Sequence, residues 1–178
     1  MKLFSTGMGT ATRKPWQQVK RDYTLTFLLF FLVAAPLCAQ DFSGHNWYFG
    51  NSSNGIRFSR SDNSPSLITN KASLSTGASA VATDPINGNL LFYTDGQNVY
   101  DVTHNLMLNG SGLSANPTGN QSVAVAKVPG SATGYYIFTN TADGTTGGTI
   151  SYSIVDMSLP GTSIFPAPPI GEVTAAKN

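Results

Sequence analysis

Cysteine occurs once in this chain, at Cys38, and histidine twice, at His45 and His104. Charged side chains make up 11% of the 178 residues. Helical periodicity is missing altogether beyond Gln40, where Gly, Asn, Ser and Thr interrupt the chain every few residues. Each scarcity excludes something. With no cysteine after position 38, the remainder uses neither disulfides nor thiolate chemistry. Two histidines without a His-x-His or His-x-x-x-His spacing do not form a zinc site, so both are read as turn or surface residues. The want of helices leaves an all-β chain.

What is present begins with an export leader. Lys14, Lys20 and Arg21 precede an apolar run from Leu25 to Ala35, which passes through Pro36 to the small residue Ala39. Basic flank, short apolar core and small residue at the cut are the parts of a secretory signal peptide. The run is shorter than the roughly 20 residues a membrane-spanning helix needs. Cys38 follows the bulky Leu37, which does not suit lipid attachment. Residues 1–40 are therefore expected to be a signal peptide with an extended polar start, removed after Ala39 or Gln40, with no membrane association afterwards. Five of the ten basic residues leave with it, against one acid, so 41–178 keeps five basic and eight acidic residues, net −3. A weakly acidic surface does not attract phosphate backbones, which argues against nucleic acid as a partner.

The exported part reads as short strands separated by turns. Ser79–Ala82, Leu90–Tyr93, Asn98–Val102 and Leu106–Leu108 are joined by segments carrying Asn87-Gly88 and Asp95-Gly96, dipeptides that supply positive φ in tight hairpins. A second unit repeats the order: Ser122–Ala126, the aromatic run Tyr135–Asn140, then Thr149–Val155. The units are placed at about 75–110 and 120–158, with 159–178 as a tail. The aromatic runs lie 45 residues apart, within the ~40–50 of propeller blades. Leu90–Tyr93 and Tyr135–Phe138 are apolar on both faces, as strands sandwiched between sheets must be. The third strand of the second unit alternates Ile150, Tyr152 and Ile154 against Ser151 and Ser153, which puts the serines on a wetter face. The expected fold is all-β, with antiparallel four-stranded meanders in a partial β-propeller-like arrangement; an open curled sheet or β-sandwich is the alternative. Even four blades need ~180 residues, so the domain at 41–178 is expected to be incomplete and the chain a fragment.

Few residues suggest chemistry. Asp84, Asn87 and Asn89 lie around a turn, but Ile86 and Gly88 occupy places where an EF-hand needs oxygen ligands. No cofactor is expected, with structural calcium assembled from several loops left open. Asp95, Asp101, Asp143 and Asp156 are available as a carboxylate pair for glycoside hydrolysis, yet nothing fixes their separation. Most of the aromatics lie inside strand runs, where core packing explains them. Trp47 and Tyr100, near strand ends, are the two candidates for stacking against a carbohydrate.

The order of Asn46-Trp47-Tyr48-Phe49-Gly50, Gly88-Asn89-Leu90-Leu91-Phe92-Tyr93-Thr94-Asp95-Gly96, Asn105–Gly110, Tyr135–Thr139 and Ser151–Met157 is similar to the N-terminal, propeller-like region of large secreted surface proteins of the Bacteroidetes. Proteins of that kind often continue into immunoglobulin-like or PKD repeats. They often end in a gliding-motility-associated sorting domain read by the type IX secretion system. The resemblance implies a secreted or cell-surface protein connected with adhesion, and supplies no catalytic residues. The expected function is a non-catalytic interaction module whose partner is a polysaccharide or another surface protein. The rival is the propeller portion of an extracellular carbohydrate-active hydrolase or lyase.

Overall fold

The computed structural model describes residues 41–69, 71–74, 77–143, 147–164 and 166–177. The expected leader at 1–40 and its expected cleavage after Ala39 or Gln40 lie outside the described residues. Contacts divide the chain after Ala39, and the described residues belong to the unit beginning at Gln40.

Eleven strands occupy that unit among the described residues. The first three are β1 (Asn46–Tyr48), β2 (Gly55–Phe58) and β3 (Pro65–Ile68), an antiparallel sheet in that order. Strand alternation buries Asn46 and Tyr48 and turns Trp47 outward. Gly55 stands opposite Tyr48, where a Cβ would come within 2.6 Å of the tyrosine ring. Pro65 opens the edge strand, the place where its missing N–H is tolerated.

Two quartets follow. The first is β4 (Ala80–Thr83), β5 (Leu90–Thr94), β6 (Asn98–Asp101) and β7 (Leu106–Ser111). The second is β8 (Val123–Lys127), β9 (Gly134–Asn140), β10 (Ile150–Asp156) and β11 (Glu172–Lys177). Each is an antiparallel up-and-down meander. The meander expected from the Asp-Gly and Asn-Gly turns is thus present. Gly96 sits at φ 82°, within the β5–β6 turn, and a Cβ there would meet that of Ala115 at 2.4 Å. Asp95 holds the same turn, its Oδ1 accepting the amides of Gln97 at 2.9 Å and Asn98 at 2.7 Å.

The fold is all-β, and the quartets are sectors of one sheet. β7 and β11 pair in parallel at Leu108–Glu172, giving the order β4-β5-β6-β7-β11-β10-β9-β8. β4 and β8, at the two ends, come into contact, so this mixed sheet rolls into a nearly closed barrel. The architecture takes the curled-sheet form of the expected fold. The fourth strand of the second quartet comes from the stretch assigned to the tail at 159–178.

Two clusters hold the unit together. The barrel interior is filled from both quartets by Phe92, Val99, Met107, Val123, Tyr135, Ile137, Val155 and Val173 with Ala78, Ala82 and Leu113. Phe92 and Tyr135 meet edge to face at 5.7 Å. Fully burying a side chain of the Val-to-Phe class contributes about 1.5–3 kcal/mol relative to exposure, so this cluster is the main source of cohesion. The second cluster lies on the other face of the first quartet, where Tyr48, Leu74, Leu90 and Tyr93 pack with Ile68, Ala72, Val81 and Tyr100. Through it, the small sheet and the segment after it cover β4–β6.

One expectation is reversed. In β10 the serine face is the dry one: Ser153 and Val155 are buried, whereas Ile150 and Tyr152 are exposed. The cause is register. Ser153 pairs with Ile137 and Val155 with Tyr135, both inward residues of β9, so the whole inward phase is set by neighbours that carry the bulk. A second expectation holds for only one quartet. Leu90–Tyr93 is sandwiched, Phe92 in the barrel and Tyr93 under the small sheet, but Phe138 of β9 points to solvent.

Candidate ligand-binding face

The outward face of β8, β9 and β10 follows directly from that register. Ala124 and Ala126 lie opposite Phe138 and Tyr136, which lie opposite Tyr152 and Ile154 on the other side. Ile150 pairs with Asn140 at one end of the same face. Ile150 is 74% exposed, and Phe138 and Tyr152 are each 38% exposed, while the Tyr136 ring is half-buried between them. Tyr136 and Phe138 are tilted at 5.5 Å between centroids, with 37° between their planes. Tyr152 meets Tyr136 at 5.7 Å and 87°. The three rings therefore form a ridge with two inclined faces, in which the edge-to-face contact of Tyr136 and Tyr152 is worth about 0.5–1.5 kcal/mol. Ala124 and Ala126 on β8 add little bulk to the flank beside Phe138 and Tyr136.

Polar groups frame this patch without entering it. Asn140, Thr141 and Thr149 stand at one end, where Thr141 Oγ1 accepts the Thr149 amide at 2.9 Å and Asn140 Oδ1 that of Ala142 at 2.9 Å. Asp156 and Glu172 pair across β10 and β11 at the other. Hydrogen bonds from the Ser158 side chain and amide hold the Asp156 carboxyl below its usual range, so it is ionised. Lys127 ends β8, where alternation turns it with Val125 to the opposite face.

The residues singled out from the sequence lie elsewhere and are not brought together. Trp47 is exposed on the outer side of β1; its Nε1 donates to the Gly44 carbonyl at 2.8 Å, and its ring stands 5.4 Å from that of Phe58. Tyr100 is half-buried and stacked on Tyr93 at 5.3 Å and 19°, so one of its faces is taken. Strand alternation places Trp47 on the side away from Tyr48, whose ring packs against Tyr93 at 4.5 Å. Tyr136, Phe138 and Tyr152 lie inside strand runs, where the sequence alone points to core packing. The β-strand run did not reveal which neighbours would be covered, and only the register does.

Asp84, Asp95, Asp101 and Asp156 each hold a turn. Asp101 Oδ1 accepts the amide of Thr103 at 2.7 Å and its hydroxyl at 2.5 Å. Asp84 accepts the Ile86 amide at 2.8 Å and the Asn87 side chain at 2.6 Å, an Asx arrangement that explains the Asp84–Asn87–Asn89 spacing without a metal. Among the described residues, no three His, Cys, Asp or Glu side chains gather closely enough to hold a metal ion.

Tyr93, His104 and Asp101 form the most acid–base-like set. The Tyr93 hydroxyl accepts the Ala72 amide at 2.8 Å and lies 3.2 Å from His104 Nδ1. Burial, ahead of neighbouring charges, pushes the Tyr93 hydroxyl up to about 12 and lowers His104 from its ordinary value. His104 lines a cleft of about 380 Å³ with Tyr48, Arg57 and residues 66–69. Tyr93 itself has no solvent exposure. Its bonds tie the segment at Ala72 to the first quartet, and the set acts as a clasp. Arg57 and Arg60 line a second cleft, of about 490 Å³, beside Phe42 and Gly88; Arg60 lies over the Phe42 ring at 5.1 Å. His45 is buried, with Nδ1 3.1 Å from the Phe58 carbonyl.

No family model matches the chain, and neither a curated protein nor a solved structure matches it. No helix among the described residues is long and apolar enough to cross a membrane.

Proposed function

We propose that this chain is an exported, non-catalytic interaction module working in the secreted or cell-surface space. The observation that supports it best is the uncovered aromatic face of β8–β10. A sheet face of three interlocked rings, flanked by Ile150 and Ile154, has no role in the barrel core that lies on its other side. Exposed apolar patches of this kind mark interaction sites. The carboxylates Asp95 and Asp101, bound into their turns, give the rival hydrolase reading no support. The leader-like residues 24–39 and the sequence resemblance to Bacteroidetes surface proteins support the location, with adhesion as the role and type IX secretion as the route.

The test is fractionation. The full chain, tagged after Asn178 and expressed in a Bacteroidetes host, is expected in the medium or on the cell surface, shortened at its N-terminus by about 40 residues. Replacing Leu28, Leu29 and Leu32 with Arg should leave it in the cytoplasm. Cytoplasmic accumulation of the unaltered chain would overturn the export half of the reading.

A further inference from the structure

We propose that the outer face of β8–β10 binds a neutral polysaccharide chain, with Phe138, Tyr136 and Tyr152 as its stacking groups. This rests on the interaction-module reading and names the class of partner for the same face.

Four observations select that class. The exposed groups are rings more than branched aliphatics, and an aromatic face carries negative potential that attracts the slightly positive C–H groups on the flat side of a pyranose. The Tyr136 and Tyr152 hydroxyls add donors and acceptors beside those rings, matching the mixed apolar and hydroxylated surface of a sugar. Charge is the third. On this face the ionised Asp156 and its cross-strand neighbour Glu172 stand at one end, and they would repel an acidic polymer. Asn140, Thr141 and Thr149 make the other end neutral.

Size is the fourth. Three strands, each ~4.8 Å wide, cover about 14 Å, and seven residues of β9 or β10 extend ~24 Å, so the face covers on the order of 340 Å². A stable protein–protein interface buries about 800 Å² on each partner. Glu172 and Thr174 of β11 interrupt the apolar surface before it reaches the exposed Leu106 and Leu108 of β7. A second copy of this chain is therefore poorly served, whereas a few sugar rings fit. The inclination of the rings, 37° and 87°, refines the ligand further. Such a ridge does not match the flat face of a crystalline polymer. It suits a single soluble chain lying over Ala124 and Ala126 against Phe138.

The experiment is native affinity electrophoresis of the full-length product, as secreted, in gels containing a soluble β-glucan, a xyloglucan, a mannan or alginate. Sedimentation with crystalline cellulose runs in parallel. Retardation by at least one of the neutral soluble polymers is expected, with none by alginate and no sedimentation. Phe138→Ala and Tyr152→Ala should each weaken binding roughly tenfold, the loss typical of an anchoring aromatic. Phe138→Tyr should retain binding, and Trp47→Ala should leave it unchanged. Near-ultraviolet circular dichroism confirms that each variant is folded. No retardation by any neutral polymer, or retardation that survives both alanine changes, overturns the proposal. Light scattering that shows a dimer abolished by Phe138→Ser also overturns it, in favour of a second copy. If the chain adheres to cells or matrix but ignores every polysaccharide, the ligand class fails while the interaction-module reading stands. If it adheres to nothing, both fail.

Discussion

The two quartets share an inner face and differ in the outer one. Phe92 of the first and Ile137 of the second both enter the barrel with no exposure. On the outside, Tyr93 is sealed under Tyr48 and Leu74, while Phe138 and Tyr152 remain 38% exposed. Similar aromatic strands therefore have different duties. The first quartet uses its outer rings to hold the small sheet in place, and nothing among the described residues does the same for the second. Burial decides which of two alike residues carries stability and which is available for contact.

Phe92→Ala and Phe138→Ala would break that comparison most directly. Removing Phe92, wholly buried beside Tyr135, should cost about 3–5 kcal/mol in urea denaturation. Removing Phe138, with solvent already on one side, should cost about 1 kcal/mol or less. Equal losses would mean that the outer face of the second quartet is covered in solution, and the contrast between the quartets would fall.

Much of this was legible in the sequence, for identifiable reasons. Gly96 and Asp95 act within a few residues, so the β5–β6 hairpin could be read locally. The same is true of the meander β4–β7 and of the all-β class. Long-range pairing was not legible. β11 carries Glu172, Thr174 and two alanines, a weak strand signal that is completed by antiparallel pairing with β10 and parallel pairing with Leu108. The phase of β10 could not be read from Ile150, Tyr152 and Ile154 alone, because Val155 was already fixed by Tyr135 across the sheet. The same limit applies to the rings: Trp47 is exposed, Tyr100 is half covered by Tyr93, and Phe138 and Tyr152 reach solvent from mid-strand. Periodicity identifies two faces and leaves open which one meets water.

A change of intermediate size sharpens how the small sheet is held. Gly55→Ala would drive a methyl group toward the Tyr48 ring at 2.6 Å and the Trp47 carbonyl at 2.9 Å. The ring can yield only by disturbing its contact with Tyr93 at 4.5 Å. Overpacking of this kind costs about 1–3 kcal/mol. Hydrogen exchange should show faster opening of β1–β3 with β8–β10 unaffected. Uniform acceleration across both quartets would show that the small sheet and the barrel unfold as one.

The smallest effect concerns pH and separates the quartets chemically. Tyr93 ionises at an ordinary pKa of 10.0 in the unfolded chain and at about 12 in the folded one, because burial disfavours the phenolate. Below pH 10 the hydroxyl is protonated in both states, and its contribution is fully present. Between pH 10 and about 12 only the unfolded chain gives up the proton, so folding weakens as pH rises and levels off above that window. Tyr48 and Tyr100, whose pKa values are also raised chiefly by burial, act in the same direction on the same side of the molecule. The urea midpoint should therefore fall between pH 10 and about 12, with hydrogen exchange quickening first at the clasp between Ala72 and Tyr93. Tyr93→Phe starts lower, having lost an acceptor for the Ala72 amide, at about 1 kcal/mol. It should then decline less steeply over the same range. A decline of equal slope in both proteins would show that the alkaline weakness originates outside the clasp.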